Sequence, residues 1–222
     1  MPRLKADDLF ALGGWESVTG APCAVIGPGS GLGVACLMGD GSVVASEGGH
    51  ATFPATSRRE DAVLACLRRS FGHVSAERVL SGPGLENLYQ AIASIDGREA
   101  PSRTAAEITQ AALQRTCAVS VSAIDMFCAM LGVFAGNAAL TFGAKGGVYI
   151  AGGIAPRLLD FLARSQFRER FEEKGRFRPY LEPIPARVII HPAATFFGLS
   201  SLIKRNPTHT FRGLGPSCLN PE

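Results

Sequence analysis

The first clear patterning is a series of short apolar runs separated by glycine and turn residues. Residues 21–26 (APCAVI), 34–38 (VACLM) and 43–45 (VVA) have the length and content of β-strands. The Asp40-Gly41 pair between the second and third runs is a hairpin signal. Between the first two lies GPGSGLG, residues 27–33, so this glycine-rich loop is predicted to join strand to strand with no helix after it. From Ser57 the period changes. SRRE has capping-box spacing ahead of AVLACL and predicts a helix over about 58–70. Residues 81–84 (SGPG) predict a break before a second helix in LENLYQAIA, and Ser102 or Thr104 is placed to cap a third through AAEITQAALQR. Residues 117–141 form a long apolar helix ended by KGG at 145–147. Residues 148–153 (VYIAGG) then read as a buried strand, and Pro156 stands at the first position of a helix through RLLDFLARS. Residues 167–179 (FRERFEEKGRFRP) predict a solvated helix pinned by Phe167 and Phe171. RVIIH (187–191) is the last strand and TFFGLSSLIKR (195–205) the last helix, with a disordered tail from Asn206.

Composition narrows the classes. The chain has 222 residues, 46% of them hydrophobic and 18% charged, which excludes wholesale disorder and suits one or two domains. Lys plus Arg number 22 against 19 Asp plus Glu, a net charge of +3, so electrostatics-driven binding to a polyanion is not the first reading. Acidic residues also interleave the basic ones in 167–179, which argues against a nucleic-acid surface there. Residues 126–144 carry no charge and approach membrane-span length, but their glycines and Asn137 favour a buried core helix. The first residues, MPRLKADDLFALGG, lack the long apolar region of a signal peptide. Cys23, Cys36, Cys66, Cys117, Cys128 and Cys218 lie far apart with no C-x-x-C. They read as buried thiols in a reducing compartment, with no zinc site or disulfide framework, in a soluble cytoplasmic protein.

Glycine and proline together are 40 of 222 residues (26 plus 14), and the glycines cluster. Gly27, Gly29, Gly31 and Gly33 alternate with Pro28, Ser30 and Leu32. Such a loop lets backbone N–H groups converge on one anion, with the Ser30 hydroxyl as a further donor. It matches neither the P-loop nor the dinucleotide fingerprint, and a ligand-free β-turn is the competing reading. In Glu47-Gly48-Gly49-His50, two glycines let an acid and an imidazole project into one cavity, an arrangement suited to a vicinal diol or a metal. A metal would draw its remaining ligands from Glu77 and His73, and without a Cys cluster or H-E-x-x-H a metal site is not predicted. Salt-bridge and capping roles compete for Glu47 and His50. Glu77 falls in the first turn of a short helix within 73–84 (HVSAERVLSGPG), where a dipole role competes and Ser75 is a cap candidate. His73 and His191 read as structural. Gly152-Gly153 closes a buried strand where an α/β domain admits a flat ligand against backbone, though such glycines also simply make turns.

Taken in order, GPGSGLG, SEGGHATFP, GHVSAERVLSGPGLENLY, GGVYIAGGIAPRLLDFL and FEEKGRFRPYLEPIP resemble the bacterial glucokinase family, within the actin-like ATPase (ribonuclease H-like, hexokinase) superfamily. The likeness spans about residues 4–202. The zinc-binding Cys cluster of the ROK sugar kinases is absent, which favours the non-ROK glucokinases. The resemblance implies an α/β fold, here mostly the large C-terminal domain of a two-domain sugar kinase. It also implies ATP-dependent phosphorylation of glucose to glucose 6-phosphate, the entry to glycolysis, with ATP and Mg²⁺. By the same resemblance Gly27, Gly29, Ser30, Gly31 and Gly33 are ATP phosphate-binding, with Ser30 in place of the more usual Thr. Glu47, His50 and Glu77 are glucose-binding, and Gly152 and Gly153 adenosine-binding. Glucose and ATP are the expected partners, with a homodimer suggested and neither nucleic acid nor membrane.

One departure matters. The family's Asp-x-Gly-Gly-Thr phosphate loop, and the Asn-Asp pair whose Asp is general base, do not occur in these residues. The opening residues resemble the family's sequence just after that pair, so the base is expected upstream of Met1, and Asp7 and Asp8 are poor substitutes. No catalytic residue is assigned within the chain. The expected organisation is residues 1–205 as the large domain, its last helix packing on a missing small domain, with 206–222 disordered. Little or no phosphotransfer is expected of the chain alone. A non-catalytic sugar- or nucleotide-binding remnant, or a truncated gene product, is the alternative. A sugar-responsive repressor would need a helix-turn-helix segment, and none precedes Leu4.

Overall fold

The computed structural model describes residues 4–194 together with Phe196, Gly198 and Ser200. Its centre is a mixed six-stranded sheet. β1 is Leu9–Ala11, β2 Cys23–Pro28, β3 Leu32–Leu37, β4 Val43–Ser46, β5 Gly147–Ile150 and β6 Ala186–Ile189, in the order β1-β6-β5-β2-β3-β4. β2, β3 and β4 form an antiparallel meander, whereas β2, β5 and β6 run parallel and β1 closes that side antiparallel. All four residues of β5 are buried, as a central parallel strand requires. β2 instead alternates, with Ala24 and Ile26 fully buried on one face. The meander follows its turn chemistry. At the Asp40-Gly41 hairpin, Gly41 has φ of +85° and the Asp40 carboxylate accepts from the Ser42 amide and hydroxyl.

α1 is Arg58–Phe71, and the Ser57 hydroxyl accepts from the Glu60 amide as the capping signal predicts. Glu60 departs from a reciprocal box. Its carboxylate accepts from the Thr56 amide and hydroxyl and pairs with Arg170. α2 is Gly82–Ile95, so residues 82–84 are not a break before the helix but its first turn, with Ser81 as N-cap and Pro83 just inside. α3 is Ala105–Leu113, where Thr104 and Glu107 make the full capping box.

α4, Ala118–Phe142, is long and apolar enough to cross a membrane by length and composition. It is instead the central core helix. It packs on β2 and β5 beneath α2 and α3, and Ala123, Ile124, Phe127, Met130 and Leu131 are fully buried. Cys128, on the same helix, has its thiol pushed up to about 12 by burial. Cys36 is buried too, but Cys23, Cys66 and Cys117 are only half-buried, short of the expected burial; all are free thiols, and Cys218 lies outside the described residues.

Two further expectations need correction. Pro156 is the second residue of a 3₁₀ turn, Ala155–Leu158, and only then does α5, Leu159–Arg164, begin. Residues 167–179 are not one solvated helix but α6 (Phe167–Glu172), a 3₁₀ turn (Gly175–Phe177) and the start of α7 (Arg178–Leu181). α6 lies against α4 so closely that a Cβ on Gly136 would meet the Phe171 carbonyl. Phe167 and Phe171 do pin it, both fully buried with ring centroids 6.4 Å apart. The expected helix over 195–205 falls largely, and the tail from Asn206 wholly, outside the described residues.

Candidate functional site

The glycine-rich loop is the tight connection between β2 and β3. Gly27 and Gly33 are ladder partners, and so are Pro28 and Leu32, which leaves Gly29, Ser30 and Gly31 as the turn itself. Of the amides expected to converge on an anion, Gly29 N–H donates to the Gly31 carbonyl at 2.8 Å and Leu32 N–H to the Glu77 carboxylate at 2.9 Å. The Ser30 and Gly31 amides have no partner among the described residues and remain available. Nothing lies within 4 Å of where a side chain would start at Gly29 or Gly33, so a ligand can approach that backbone.

Gly152 and Gly153 adjoin this loop. β5 runs parallel to β2 with Ile150 opposite Ile26, and Ala151 N–H donates to the Ile26 carbonyl at 2.7 Å. The strand ends therefore bring Gly152 against Pro28, where a Cβ would strike the Pro28 carbonyl, and Gly152 has φ of +83°. Gly152 is a glycine for packing reasons. Gly153 is open, with nothing within 4 Å of its side-chain position. Together they lie at the carboxyl ends of adjacent parallel strands, the usual ligand crevice of such sheets.

Glu47 and His50 come together as their spacing suggested, and a long-range backbone bridge brings Glu77 to them. Gly48–His50 is a 3₁₀ turn seated on β3, with Gly49 buried against the Leu32 carbonyl. Ala76–Arg78, which carries Glu77, is a 3₁₀ turn rather than the first turn of a helix, and Ser75 makes no side-chain cap there. The two turns are joined by Ala76 N–H to the Ala51 carbonyl (2.9 Å) and Phe53 N–H to the Val74 carbonyl (3.1 Å). In consequence His50 Nε2 is 3.8 Å from Glu47 Oε2, and His50 Nδ1 is 4.0 Å from Glu77 Oε1. The side chains grade from 91% exposed at Glu47 through 61% at His50 to 33% at Glu77. That makes a shallow, solvent-facing cluster of acceptors around one imidazole, fitted to several neutral hydroxyls. His73 is occupied otherwise, its Nε2 being 3.0 Å from Thr52 Oγ1, and the His191 ring accepts from the Ala193 amide. Among the described residues, no three His, Cys, Asp or Glu side chains gather as metal ligands would.

Two contributors escaped the sequence reading. The Leu32 amide is backbone and carries no residue-type signal. The start of α2 holds the turn from its other end, Gly82 N–H donating to the Gly29 carbonyl at 2.8 Å. Ser81 with Pro83 two residues later is a helix-start pattern that would have found it.

The family model for Glucokinase matches residues 1–206. The glucokinase of Paramagnetospirillum magneticum is 50% identical over 205 residues, covering 90% of this chain and 64% of that protein. Among solved structures, a glucokinase from an Antarctic psychrotroph superposes with a TM-score of 0.88 at 35% identity, covering 92% of this chain and 64% of its own. The glucokinase of Balamuthia mandrillaris in complex with glucose gives 0.75 at 20% identity, covering 83% and 55%. The chain thus spans between 55% and 64% of the length of these relatives.

Proposed function

As the chain belongs to the glucokinase family and has its actin-like ATPase fold, we propose that it serves ATP-dependent phosphorylation of glucose by holding both substrates. Residues 1–205 are its large α/β domain in this reading. The observation that carries it is the contact between the two clusters. Glu77 reaches from the Glu47–His50 group to the Leu32 amide of the glycine-rich loop, so the sugar and the transferred phosphoryl group would lie side by side.

In this role Glu47, His50 and Glu77 accept from or share hydrogen bonds with glucose hydroxyls. The free amides of Ser30 and Gly31 and the Ser30 hydroxyl meet the phosphates of ATP, with Gly27, Gly29 and Gly33 giving the backbone its close approach. Gly152 and Gly153 flank the adenosine, Gly153 offering the open face. The open backbone at Gly29, Gly33 and Gly153 fits a nucleotide. ATP supplies the phosphoryl group when bound. Mg²⁺ would arrive with the triphosphate, since it is ordinarily held by substrate phosphates and one or two carboxylates. Transfer of this kind rests on positioning and charge stabilisation, which amides and fixed acceptors provide. Five free thiols among the described residues favour a reducing, cytoplasmic setting. A homodimer is the assembly that the family likeness suggests.

Calorimetric titration with glucose tests the sugar site. Saturable binding is expected, weakened about 10- to 100-fold in His50→Ala, the usual effect of losing a hydrogen bond to a charged or shared partner. Absence of any binding heat in the unsubstituted chain would sink the reading. In a coupled ATP and glucose assay, turnover by these 222 residues is expected to be low. They hold no Asn-Asp pair, and a positioned base contributes about 10²–10⁴-fold. Robust turnover abolished by Glu47→Ala would reverse that expectation and make the chain a complete catalyst.

A further inference from the structure

We infer that Gly31, a residue of the phosphate turn, positions the sugar site, because the absence of a side chain there lets the Glu77 carboxylate lie between the two substrates. This rests on the assignment of Glu47, His50 and Glu77 to glucose.

Gly31 differs from the other glycines of its turn. Gly29 and Gly33 face open space, whereas a Cβ on Gly31 would stand 2.5 Å from Glu77 Oε2, closer than any real contact. Backbone conformation does not explain the glycine, since Gly31 is not among the residues with positive φ. What excludes a side chain is the carboxylate. That carboxylate has two tasks. Oε2 accepts from Leu32 N–H at 2.9 Å, and Oε1 faces His50 Nδ1 at 4.0 Å. The main chain beneath it is fixed, because the Ser81 hydroxyl donates to the Glu77 carbonyl at 2.7 Å and Arg78 N–H to the Ser75 carbonyl at 3.1 Å. Any shift of the carboxylate therefore comes from rotation of the Glu77 side chain alone. It is one-third exposed and has room to swing toward solvent.

An alanine at position 31 should accordingly fold. The atom it displaces is the end of a flexible side chain, and the cost falls on Glu77's placement. Glucose affinity of Gly31→Ala is expected to drop about tenfold or more although residue 31 touches no sugar, with the thermal unfolding midpoint within a few degrees of the parent. Glu77→Asp supplies the rescue test. One methylene shorter, the acid clears the new methyl group, so adding Gly31→Ala to Glu77→Asp should change glucose affinity by less than about twofold, a non-additivity expected only if the two residues act through contact. The measurement is glucose calorimetry on the four proteins, with thermal unfolding as the check on folding. Unchanged glucose affinity in a folded Gly31→Ala overturns the inference, and so does an equal loss in both backgrounds. If the unsubstituted chain does not bind glucose at all, the sugar-site assignment itself fails. If Gly31→Ala does not fold, the claim that the Glu77 side chain can yield is wrong and the inference falls with it.

Discussion

Replacing Glu60 with alanine is expected to lower the free energy of unfolding by about 3–5 kcal/mol, the range for breaking a buried ion pair by removing one partner. Glu60 is 3% exposed in the first turn of α1. Its carboxylate takes the Arg170 guanidinium at 2.5 Å on one oxygen and the Thr56 amide and hydroxyl on the other. The Arg170 side chain is itself only 11% exposed, and its Nε already lacks a partner. Without Glu60, Arg170 retains the neutral Thr56 hydroxyl and Glu173 at 3.0 Å, an acid 59% exposed that offers weak compensation. The cost therefore lies mainly in a buried cation left poorly compensated. Urea unfolding checks it, with the midpoint falling and the slope unchanged. Glu60→Leu with Arg170→Met should recover most of the loss, because two apolar side chains of similar volume remove the desolvation cost at its source. A single-variant loss below about 1 kcal/mol would mean that solvent reaches the pair freely.

Phe171→Ala is the second large effect, again about 3–5 kcal/mol, from lost transfer energy and the cavity left behind. Phe171 is fully buried and stacks on Phe167, and the Arg168 guanidinium lies 4.8 Å from its ring centre. Its carbonyl is the atom that Gly136 of α4 approaches, so collapse of the site is restricted from that side. Phe177, six residues on in the same charged run, is 46% exposed, with Tyr180 edge-to-face and the Arg176 guanidinium 5.6 Å from its ring centre. Phe177→Ala should cost less than about 1 kcal/mol. The pair of variants, compared by urea unfolding, measures how much of this charged run belongs to the core. Equal effects would contradict the burial difference.

That contrast also marks where sequence reading reached its limit. The aromatics at 167 and 171 were legible as anchors, because helical spacing of two large rings survives in any context. The break after Glu172 was not. Gly175 takes φ of +55° in the 3₁₀ turn Gly175–Phe177, and a single glycine among charged residues does not announce a change of helix type. The three strands of the meander were legible because each signal is local: an apolar run, then Asp-Gly, then another. β1 was not, being three residues beside a charged stretch whose pairing partner β6 lies about 180 positions away. At the candidate site, Glu47 and His50 share one turn and their closeness follows from spacing. Glu77 reaches them only through the bridge between residues 51–53 and 74–76, a long-range backbone contact with no residue signature.

The turn at residues 29–31 is held at both shoulders, by Gly82 at the Gly29 carbonyl and by Glu77 at the Leu32 amide, and braced internally by Gly29 N–H on the Gly31 carbonyl. Much of the ordering that a flexible glycine segment would have to undergo on capturing a phosphate has thus been completed during folding. In the proposed role, an incoming phosphate would meet a turn already braced and would give up little of its affinity to stiffening the chain. The glycines, which in an untethered loop would mean freedom, here belong to a turn held in place from three directions.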